Sequence, residues 1–484
     1  MHPDKSHFDS CLRLYSKRFK PFMLAMSVLL TACSTPPPPE PPALDMPPAF
    51  KQGVQGSAVW QTAQPQDSVP SAWWTLFADP ALDALQERAA SGNQNVVLAV
   101  ARLRAARAAL DSAGAAGLPS LGATASSTRS RGGTTADNTT QARTRNSHAL
   151  GLNASWELDL WGRLSGGVDA ARASAEASAG DLAAMRLSVQ ATVVQTYFAL
   201  RAAEAQVLLL DDTLAAYERS WALTRNRQRA GVASAADVAQ AEAQYKSTQV
   251  QRLEAQTSRA QLEHALAALT GQAPAALSLP ATAALPAPPT VPAQLPSRLL
   301  ERRPDIAAAQ QRVAAANAQI GVAQAAFFPA VTLSGAAGYR GTELSNLLNA
   351  PNLFWSLGPA LAISLFDGGA RSAAVESARA THDQAVASYR QTVLTALQEV
   401  EDNLAAATAL EREQQLQAEA VAAVQRALDV VGNQYRAGTV GYLNVLTAQT
   451  TVLSAQRTLI DVRSRRLAAV NTLLKNVAGR WDGA

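Results

Sequence analysis

Cysteine is almost absent from this chain of 484 residues, in which only Cys11 and Cys33 occur. Cys11 lies in a basic segment near the N-terminus, and Cys33 follows a short apolar run. If the chain is cleaved before Cys33, the mature protein has one cysteine and can form no internal disulfide. Its stability must then come from packing and from assembly with other chains.

Catalytic and metal-binding patterns are lacking as well. The five histidines are isolated along the chain, at His2, His7, His148, His264 and His382. The sequence contains no glycine-rich phosphate loop and no Gly-x-Ser-x-Gly nucleophile motif. After processing, methionine would remain only at Met46 and Met185, so a methionine-rich metal relay is missing too. We therefore expect a protein that is not an enzyme and carries no cofactor and no metal.

Neither sign of charge dominates the mature chain. The whole sequence has a formal net charge of +4. Residues 1–32 carry five basic and two acidic residues, so their removal lowers the net charge to +1. The apparent basicity thus belongs largely to the N-terminal segment, and the charge pattern gives no indication of a nucleic-acid partner.

Residues 1–32 have the pattern of a bacterial lipoprotein signal peptide. A basic segment precedes an apolar core at residues 22–30, which is too short to cross a bilayer as a mature helix. The core ends in Leu30-Thr31-Ala32-Cys33, which resembles a lipobox and predicts that the Cys33 thiol is lipidated. An ordinary signal peptide followed by a chance cysteine is the alternative. Residue 34 is serine rather than aspartate, which in enteric-type sorting permits transfer to the outer membrane.

The rest of the chain contains one large unit twice, with two proline-rich connections. A proline-rich tether covers residues 33–75, and a proline- and alanine-rich linker covers 274–296. Three short motifs recur in order, 206 to 210 residues apart: Gly117-Leu118-Pro119 as Phe327-Phe328-Pro329, Leu160-Trp161-Gly162 as Phe366-Asp367-Gly368, and Arg229-Ala230-Gly231 as Arg436-Ala437-Gly438. A repeat of that length is a duplicated domain, and we assign its copies to residues 76–273 and 297–480.

Long stretches without proline predict long helices. Residues 163–229 contain no proline, and apolar or small residues recur there in alternating steps of four and three. That spacing is the heptad seam of supercoiling helices, and residues 393–435 repeat it. A helix over residues 163–229 would be about 100 Å long. No compact globular domain accommodates such rods, so they need partner rods.

Period-two patterns separate the long helices in each repeat. Near residues 148–160 and 352–365, apolar side chains alternate with small or polar ones. Similar alternation occurs near 330–339 and, more weakly, near 121–130. The longer runs match the length of tilted transmembrane strands. A soluble, half-buried sheet has the same pattern, but the secretion signal and the lipobox favour the membrane.

Four strands cannot close a membrane sheet alone. Every backbone polar group of a membrane strand must be paired, so a spanning sheet has to close into a barrel of at least about eight strands. Two chains would provide about eight strands and three about twelve, so a cyclic oligomer is required. In such a barrel, Glu157 and Asp159 are polar strand residues facing the lumen rather than an acid–base pair.

With these features, the chain resembles the TolC-like family of outer membrane efflux proteins, in the lipoprotein branch that serves RND-type efflux systems. The motifs that carry the resemblance occur in order along the mature chain: Trp73-Trp74, Phe77 and Asp79-Pro80; Arg302-Arg303-Pro304-Asp305-Ile306; Ala323 to Pro329; Phe366-Asp367-Gly368-Gly369; and Gln434-Tyr435-Arg436-Ala437-Gly438 with Tyr442-Leu443. Each motif is moderately specific alone. Together with the duplication and the lipobox they are strongly specific.

The resemblance implies a fold that is mainly α-helical with a transmembrane β-barrel portion. A homotrimer would share the barrel in the outer membrane and an α-helical barrel in the periplasm, surrounded by an equatorial belt. The implied function is a passive exit duct for small molecules, which an inner-membrane pump supplies through a periplasmic adaptor protein. The implied partners are therefore further copies of the chain, the adaptor, the pump and outer-membrane lipid.

The resemblance also places a gate at the periplasmic tip, in the turn between the last two long helices. It assigns Tyr435, Leu443, Thr447 and Thr450 to that gate. Relatives commonly carry an acidic and a basic residue where this chain has Thr447 and Thr450. The substitution by threonine predicts a gate that attracts cations less and is not locked by ion pairs.

The equivalent turn of the first repeat offers charge that could compensate. Asp237 and Glu242 lie just after that turn and are the expected source. A purely local role for Asp237, as a helix cap, is the alternative. Gly231 and Gly438 suit the two turns, because glycine adopts the left-handed backbone of a helix C-terminus with least strain. We expect these turns to dock the adaptor.

Two other functions fit parts of the sequence. A non-conducting lipoprotein that spans the periplasm as a coiled-coil tether would explain the anchor and the heptads. It would not explain an apolar pair of strands in each repeat. A duct for type I protein secretion would share the fold. The efflux duct remains the function that the sequence favours.

Overall fold

Long helices dominate the described part of the chain, which confirms the predicted fold class. The computed structural model describes residues 60–62, 72–131, 144–282, 285–289, 291–293 and 303–478. Cys33, the predicted signal peptide and most of the tether lie outside these residues. Within them, no helix combines the length and the apolar character that crossing a membrane requires.

The two repeats share one order of helices and strands, apart from an additional helix at the start of the first. The first repeat contains α1 (Pro80–Gly92), α2 (Gln94–Ala115), β2 (Ser120–Arg131), β3 (Thr144–Leu158), α3 (Arg163–Arg229) and α4 (Ala235–Leu269). The second contains α5 (Pro304–Ala325), β5 (Ala330–Gly341), β6 (Leu353–Ala362), α6 (Ala370–Arg436) and α7 (Tyr442–Ala478). The connections contribute the short strands β1 (Trp60–Thr62) and β4 (Val291–Ala293).

The helices α3 and α6 each have 67 residues and occupy the predicted heptad stretches. The apolar or small residues at the predicted heptad positions are buried or half-buried; they include Val193, Thr196, Leu200, Val393, Leu397 and Val400. Val193, Leu200 and Val393 are 0% exposed. These side chains therefore act as packing residues, as their spacing indicates.

The four long strands form one antiparallel sheet in the order β2-β3-β5-β6. Directly opposed residues of antiparallel strands share a face, and the register brings the apolar positions of all four strands to one face. We call it the apolar face; it includes Leu121, Leu150, Leu152, Trp156, Leu333, Tyr339, Leu353, Trp355, Leu357 and Leu361. The opposite, polar face includes Thr124, Ser126, Asn153, Ser155, Glu157, Ser334 and Ser356.

The chain divides into two compact units. The first contains the sheet and the adjoining helix ends, within Ala106–Ala175 and Gln311–Val386. The second contains the other described residues, including both turns that join long helices. In this second unit β1 pairs with β4 in parallel, with Trp60 opposite Val291. The N-terminal connection and the connection between the repeats therefore meet.

Asp159 caps a helix and is not part of a strand. β3 ends at Leu158, and the Asp159 carboxylate accepts the backbone N–H groups of Leu164 at 2.9 Å and Ser165 at 2.7 Å. Asp367 caps α6 in the same way, 208 residues later. The prediction of a polar strand residue was wrong for Asp159, because the first turn of a helix leaves N–H groups that a carboxylate can satisfy.

Glu157 keeps its predicted place on the polar face of the sheet. It forms an ion pair with Arg163 at 2.7 Å, with hydrogen bonds to both carboxylate oxygens. Beside it, the indole of Trp161 stacks on Phe328 with ring centroids 5.0 Å apart, and its N–H donates to the carbonyl of Pro329. Motifs from both repeats thus meet where the strands join the helices.

A buried ionic network fixes the connection between the repeats. Arg201 and Glu204 of α3 pair at 2.7 Å, and their side chains are 3% and 2% exposed. Glu204 also pairs with Arg259 of α4. Arg201 donates to the carbonyl of Pro280, and Glu204 accepts the backbone N–H of Thr282 at 3.0 Å. Breaking such a pair leaves a buried charge uncompensated, so the predicted linker is held firmly at these residues.

The arginine-proline motif of the second repeat forms another buried junction. Arg303 contacts Asp305 at 2.7 Å, Glu399 of α6 at 2.9 Å and Asn476 of α7 at 3.0 Å. Burial opposes the ionisation of Asp305, but hydrogen bonds and charge from Arg303 outweigh it and hold the pKa of this carboxyl below its ordinary value. The motif therefore fastens the start of α5 to both long helices of its repeat.

Candidate functional site

The two turns that join long helices have the same backbone at the end of the first helix. In the turn from α3 to α4, the N–H of Gly231 donates to Gln228 and that of Val232 to Arg227, both at 2.9 Å. The equivalent bonds after α6 are both 3.0 Å. Gly231 and Gly438 have φ angles of +74° and +78°. Both helices thus end in a Schellman motif, in which glycine supplies the left-handed residue.

The start of α4 is closed by its own side chains. The Ser234 hydroxyl accepts the backbone N–H of Asp237 at 3.1 Å, and the Asp237 carboxylate accepts the backbone N–H of Ser234 at 3.0 Å. This reciprocal pair is a capping box. Asp237 therefore has the local capping role that was the alternative to a role as gate charge. Glu242 is exposed one turn further along α4.

The start of α7 relies on packing instead. Gly441 stands where Ser234 stands in the first turn, so no side chain is available to cap α7. Tyr442 follows and is 3% exposed. Its ring meets that of Tyr435 edge to face, with centroids 5.8 Å apart. Burial raises the pKa of the Tyr442 hydroxyl, and the charge of Asp237 contributes to the same shift.

These tyrosines belong to a small core that we call the tip cluster. Its buried members are Ala241, Tyr435, Tyr442 and Val445, and the half-buried side chains around them are Trp221, Val431, Val440 and Leu446. Helices α3, α4, α6 and α7 all contribute. The four helix ends are therefore held together by one set of apolar contacts.

Arg227 connects the first turn to the second. Its Nη1 atom donates to the backbone carbonyl of Tyr435 at 2.7 Å, and its guanidinium lies 4.5 Å from the centre of the Tyr435 ring. The Tyr435 hydroxyl is 3.3 Å from the Thr224 hydroxyl, also on α3. A cation over an aromatic face and a charged hydrogen bond both stabilise this contact. Arg227 was not among the predicted site residues, because its sequence pattern is also that of an exposed surface arginine.

The predicted gate residues separate into two groups. Leu443 is 59% exposed, and Thr447 is exposed one helical turn later on the same face of α7. Tyr435, by contrast, is 5% exposed and packs inside the tip cluster. A ring buried in this way packs against its neighbours and does not face an opening in this conformation, so the place of Tyr435 in the gate stays a prediction. In this conformation Tyr435 supports the turn, and Leu443 and Thr447 stand on the surface.

Thr450 faces a polar groove between α4 and α7. The groove has a volume of about 380 Å³, and it is lined by Gln244, Ser247, Gln251, Thr450, Leu453, Ser454, Arg457 and Thr458. Arg457 of α7 connects the two helices by donating to the side-chain oxygen of Gln251 at 3.1 Å. The Thr450 hydroxyl donates to backbone carbonyls one turn back on α7. Of the two predicted threonines, Thr447 therefore has the more open position.

Metal-binding geometry is not found in the part of the chain that the structure describes. Among those residues, no group of three or more histidine, cysteine, aspartate or glutamate side chains could hold an ion. The tip cluster and its turns contain no acid–base pair in contact. What the site offers is two exposed turns, an exposed face on α7 and a core that fixes them.

Known proteins and a protein-family model match this chain along nearly its whole length. A family model described as "Outer membrane efflux protein" matches residues 85–272 and 295–479, one segment in each repeat. The probable efflux pump outer membrane protein TtgC of Pseudomonas putida is 33% identical over 439 residues, which are 90% of each chain. The cation efflux system protein CusC of Escherichia coli O6:H1 is 30% identical over 466 residues, 96% of this chain and 98% of that one.

The fold has solved counterparts as well. A structure of the outer-membrane channel OprN is similar over 93% of this chain and 100% of that chain, with 30% identity and a TM-score of 0.86.

Proposed function

The chain belongs to the outer membrane efflux protein family, and on that premise we propose that it is the outer-membrane exit duct of a tripartite efflux pump. A homotrimer conducts small molecules passively across the periplasm and the outer membrane. An inner-membrane transporter supplies them through a periplasmic adaptor. A lipid on Cys33 anchors each chain to the outer membrane.

The apolar face of the sheet is the observation that carries this proposal. Trp355 is 77% exposed and Leu357 is 69% exposed. Soluble proteins commonly expose single side chains of this kind, but they seldom expose a continuous apolar surface. The polar face lies directly behind them, as a lipid-facing surface and a water-filled lumen require. A non-conducting tether has no use for a sheet with this pair of faces.

The open edges of the sheet support closure with other copies. β2 and β6 each pair with one neighbour among the described strands. Strand directions alternate across the sheet, so β6 of one chain can pair with β2 of the next without breaking the antiparallel order. Closing the ring satisfies every edge N–H and C=O group, which a membrane environment demands. Three chains make a barrel of about twelve strands, within the size range of bacterial barrels.

The gate lies at the second helix-to-helix turn. Leu443 and Thr447 are exposed together on α7, and threefold symmetry would bring three copies of each around one axis. Since Thr447 carries no charge, this ring is uncharged, and ion pairs do not lock it. Its opening is then resisted by packing within the tip cluster.

The adaptor docks at the two exposed turns. Val232 is 64% exposed in the first turn, and Thr439 is exposed at the equivalent place in the second. Processing leaves Cys33 as the natural cysteine, and lipid occupies its thiol, so V232C and T439C can be crosslinked without background. Crosslinking in cells should capture a periplasmic adaptor, which identifies the pump class.

The duct is tested by a pair of substitutions in β6 that differ only in the face they alter. L357R places a charge on the apolar face, where it should cost about 2–4 kcal/mol in the bilayer and abolish stable insertion. S356R places the same charge on the polar face and should leave a trimer that conducts with altered ion selectivity. Trimer mass and planar-bilayer currents are the measurements.

The outcomes of this pair separate the duct from the tether. Stable trimers of the wild type that give no current would overturn the duct. If L357R and S356R are tolerated equally well, the apolar face of the sheet does not contact lipid.

A further inference from the structure

The two strand pairs of the sheet differ in charge at the end farthest from the helices. In the described parts of β2 and β3 before Trp156, the charged side chains are Arg129, Arg131 and Arg145. The other pair carries Arg340 as the one charged residue in β5, and β6 has none. The first pair is therefore basic at its outer end, and the second is nearly neutral.

The register places two of these arginines on the apolar face. Arg129 is opposite Asn146, and Arg131 is opposite Thr144. Both belong to the alternating set that begins with Leu121, so they share the face of the lipid-exposed leucines. Arg145 is opposite Ser130 and therefore lies on the polar face.

The position along the strand places these arginines at the rim of the apolar band. Arg129 is eight residues beyond Leu121 in β2, which corresponds to about 27 Å at 3.4 Å per residue. The apolar band of an outer-membrane barrel is about 25 Å tall. Strand tilt of about 35–45° shortens the distance along the membrane normal to about 19–22 Å for Arg129 and to about 24–28 Å for Arg131, two residues further on. Arg131 therefore reaches the headgroup level of the outer leaflet, and the long side chain of Arg129 extends toward that level from just below it.

The two guanidinium groups have no partner among the neighbouring residues that the structure describes. Both arginines are exposed, and within residues 72–131 and 144–158 neither forms an ion pair or a hydrogen bond through its side chain. The spacing of alternate residues separates them by about 7 Å along the strand. The outermost apolar-face side chains of the second pair, Tyr339 and Leu353, are level with Ala125, four residues before Arg129, and carry no charge. The basic rim is thus a property of the first pair alone.

We propose that Arg129 and Arg131 form a binding site for the phosphate groups of an outer-leaflet glycolipid. The inference rests on the proposed membrane position of the sheet. Arginine matches phosphate with paired N–H donors, and a guanidinium at headgroup depth keeps its charge while its stem lies along apolar chains. The site therefore selects a phosphorylated lipid over a neutral one and fixes the trimer in the outer leaflet.

The test uses the purified full-length trimer and two lipids that differ in phosphate. Binding of bisphosphorylated lipid A and of its phosphate-free form is measured by native mass spectrometry. The wild type should prefer the bisphosphorylated lipid. The double variant R129Q/R131Q should bind it about tenfold more weakly, since each basic residue near a headgroup contributes to attraction. R145Q removes the same charge at the same depth on the opposite face and should bind like the wild type.

Several outcomes would overturn the site. They are equal losses in R145Q and R129Q/R131Q, equal binding of the two lipids by the wild type, or unchanged binding in the double variant. Planar-bilayer currents from the same preparations address the duct separately, because R129Q/R131Q should still conduct. If the trimer conducts but shows no lipid preference, only this inference is wrong. If the trimer gives no current, the proposed function is wrong, and the lipid-binding result still decides whether the site exists.

Discussion

The two helix-to-helix turns share one backbone and differ in what holds them. Both end their first helix with a glycine at positive φ, in the same hydrogen-bonded motif. The first turn then closes with its own capping box, whereas the second has Gly441 at the capping position and depends on the tip cluster. Duplication has thus kept the chain reversal and changed its support. A turn held by neighbours can respond to them, which suits a gate.

Removal of Tyr435 should have the largest effect on this difference. Y435A takes a 5% exposed aromatic ring out of the tip cluster, and such truncations cost about 3–5 kcal/mol. Hydrogen exchange of the peptides around residues 431–446 should accelerate accordingly. Q228A alters the equivalent position of the first turn and should change exchange there little. Similar acceleration in both variants would show that the two turns do not differ in support.

Loss of the contact from Arg227 should have the next largest effect. R227M keeps the length of the side chain but removes the hydrogen bond to Tyr435 and the cation over its ring. Hydrogen bonds to charged groups contribute about 1.5–3 kcal/mol, with less expected here because Arg227 is half-buried. The second turn should open more often, as read by hydrogen exchange, while the first keeps its rate. Q434M, at the equivalent place on α6, is the control and should have no such effect.

Changes to the helix caps should have the smallest effect. Unlike the two variants above, they should affect the first turn more than the second. S234A removes the capping box and should destabilise the first turn by about 1 kcal/mol. G441S supplies a capping hydroxyl to α7 and should stabilise the second turn by a few tenths of a kcal/mol, roughly the Gly-to-Ser difference at such positions. Gly441 has room for a side chain, so strain should not mask the gain. A larger change from G441S than from S234A would reverse the comparison.

Much of this architecture could be predicted because it follows from local patterns. A stretch without proline and with heptad spacing gives α3 its bounds, and period-two alternation locates the strands. Gly231 and Gly438 mark chain reversals that few other residues allow. The resemblance predicts the gate at the second turn, and the structure shows Leu443 and Thr447 exposed just after that turn.

The remaining details depend on contacts between residues far apart in sequence. Arg227 contacts Tyr435, which is 208 residues away in the sequence, and no periodic pattern predicts such a pair. Asp159 was mistaken for a strand residue because a cap at a helix start continues the alternation of the strand before it. Tyr435 was assigned to an aperture from its place in a motif, whereas burial is decided by which helices surround it.

Single-channel recording of the Thr447→Asp trimer tests the central claim most directly, which is that this chain forms a duct gated by its second turn. The wild type should give step currents, and T447D should raise the preference for cations by adding three carboxylates around one aperture. The Gln240→Asp variant places the same charge at the equivalent position of α4 and should shift selectivity less than T447D. Absence of currents, or equal shifts in both variants, would contradict the account.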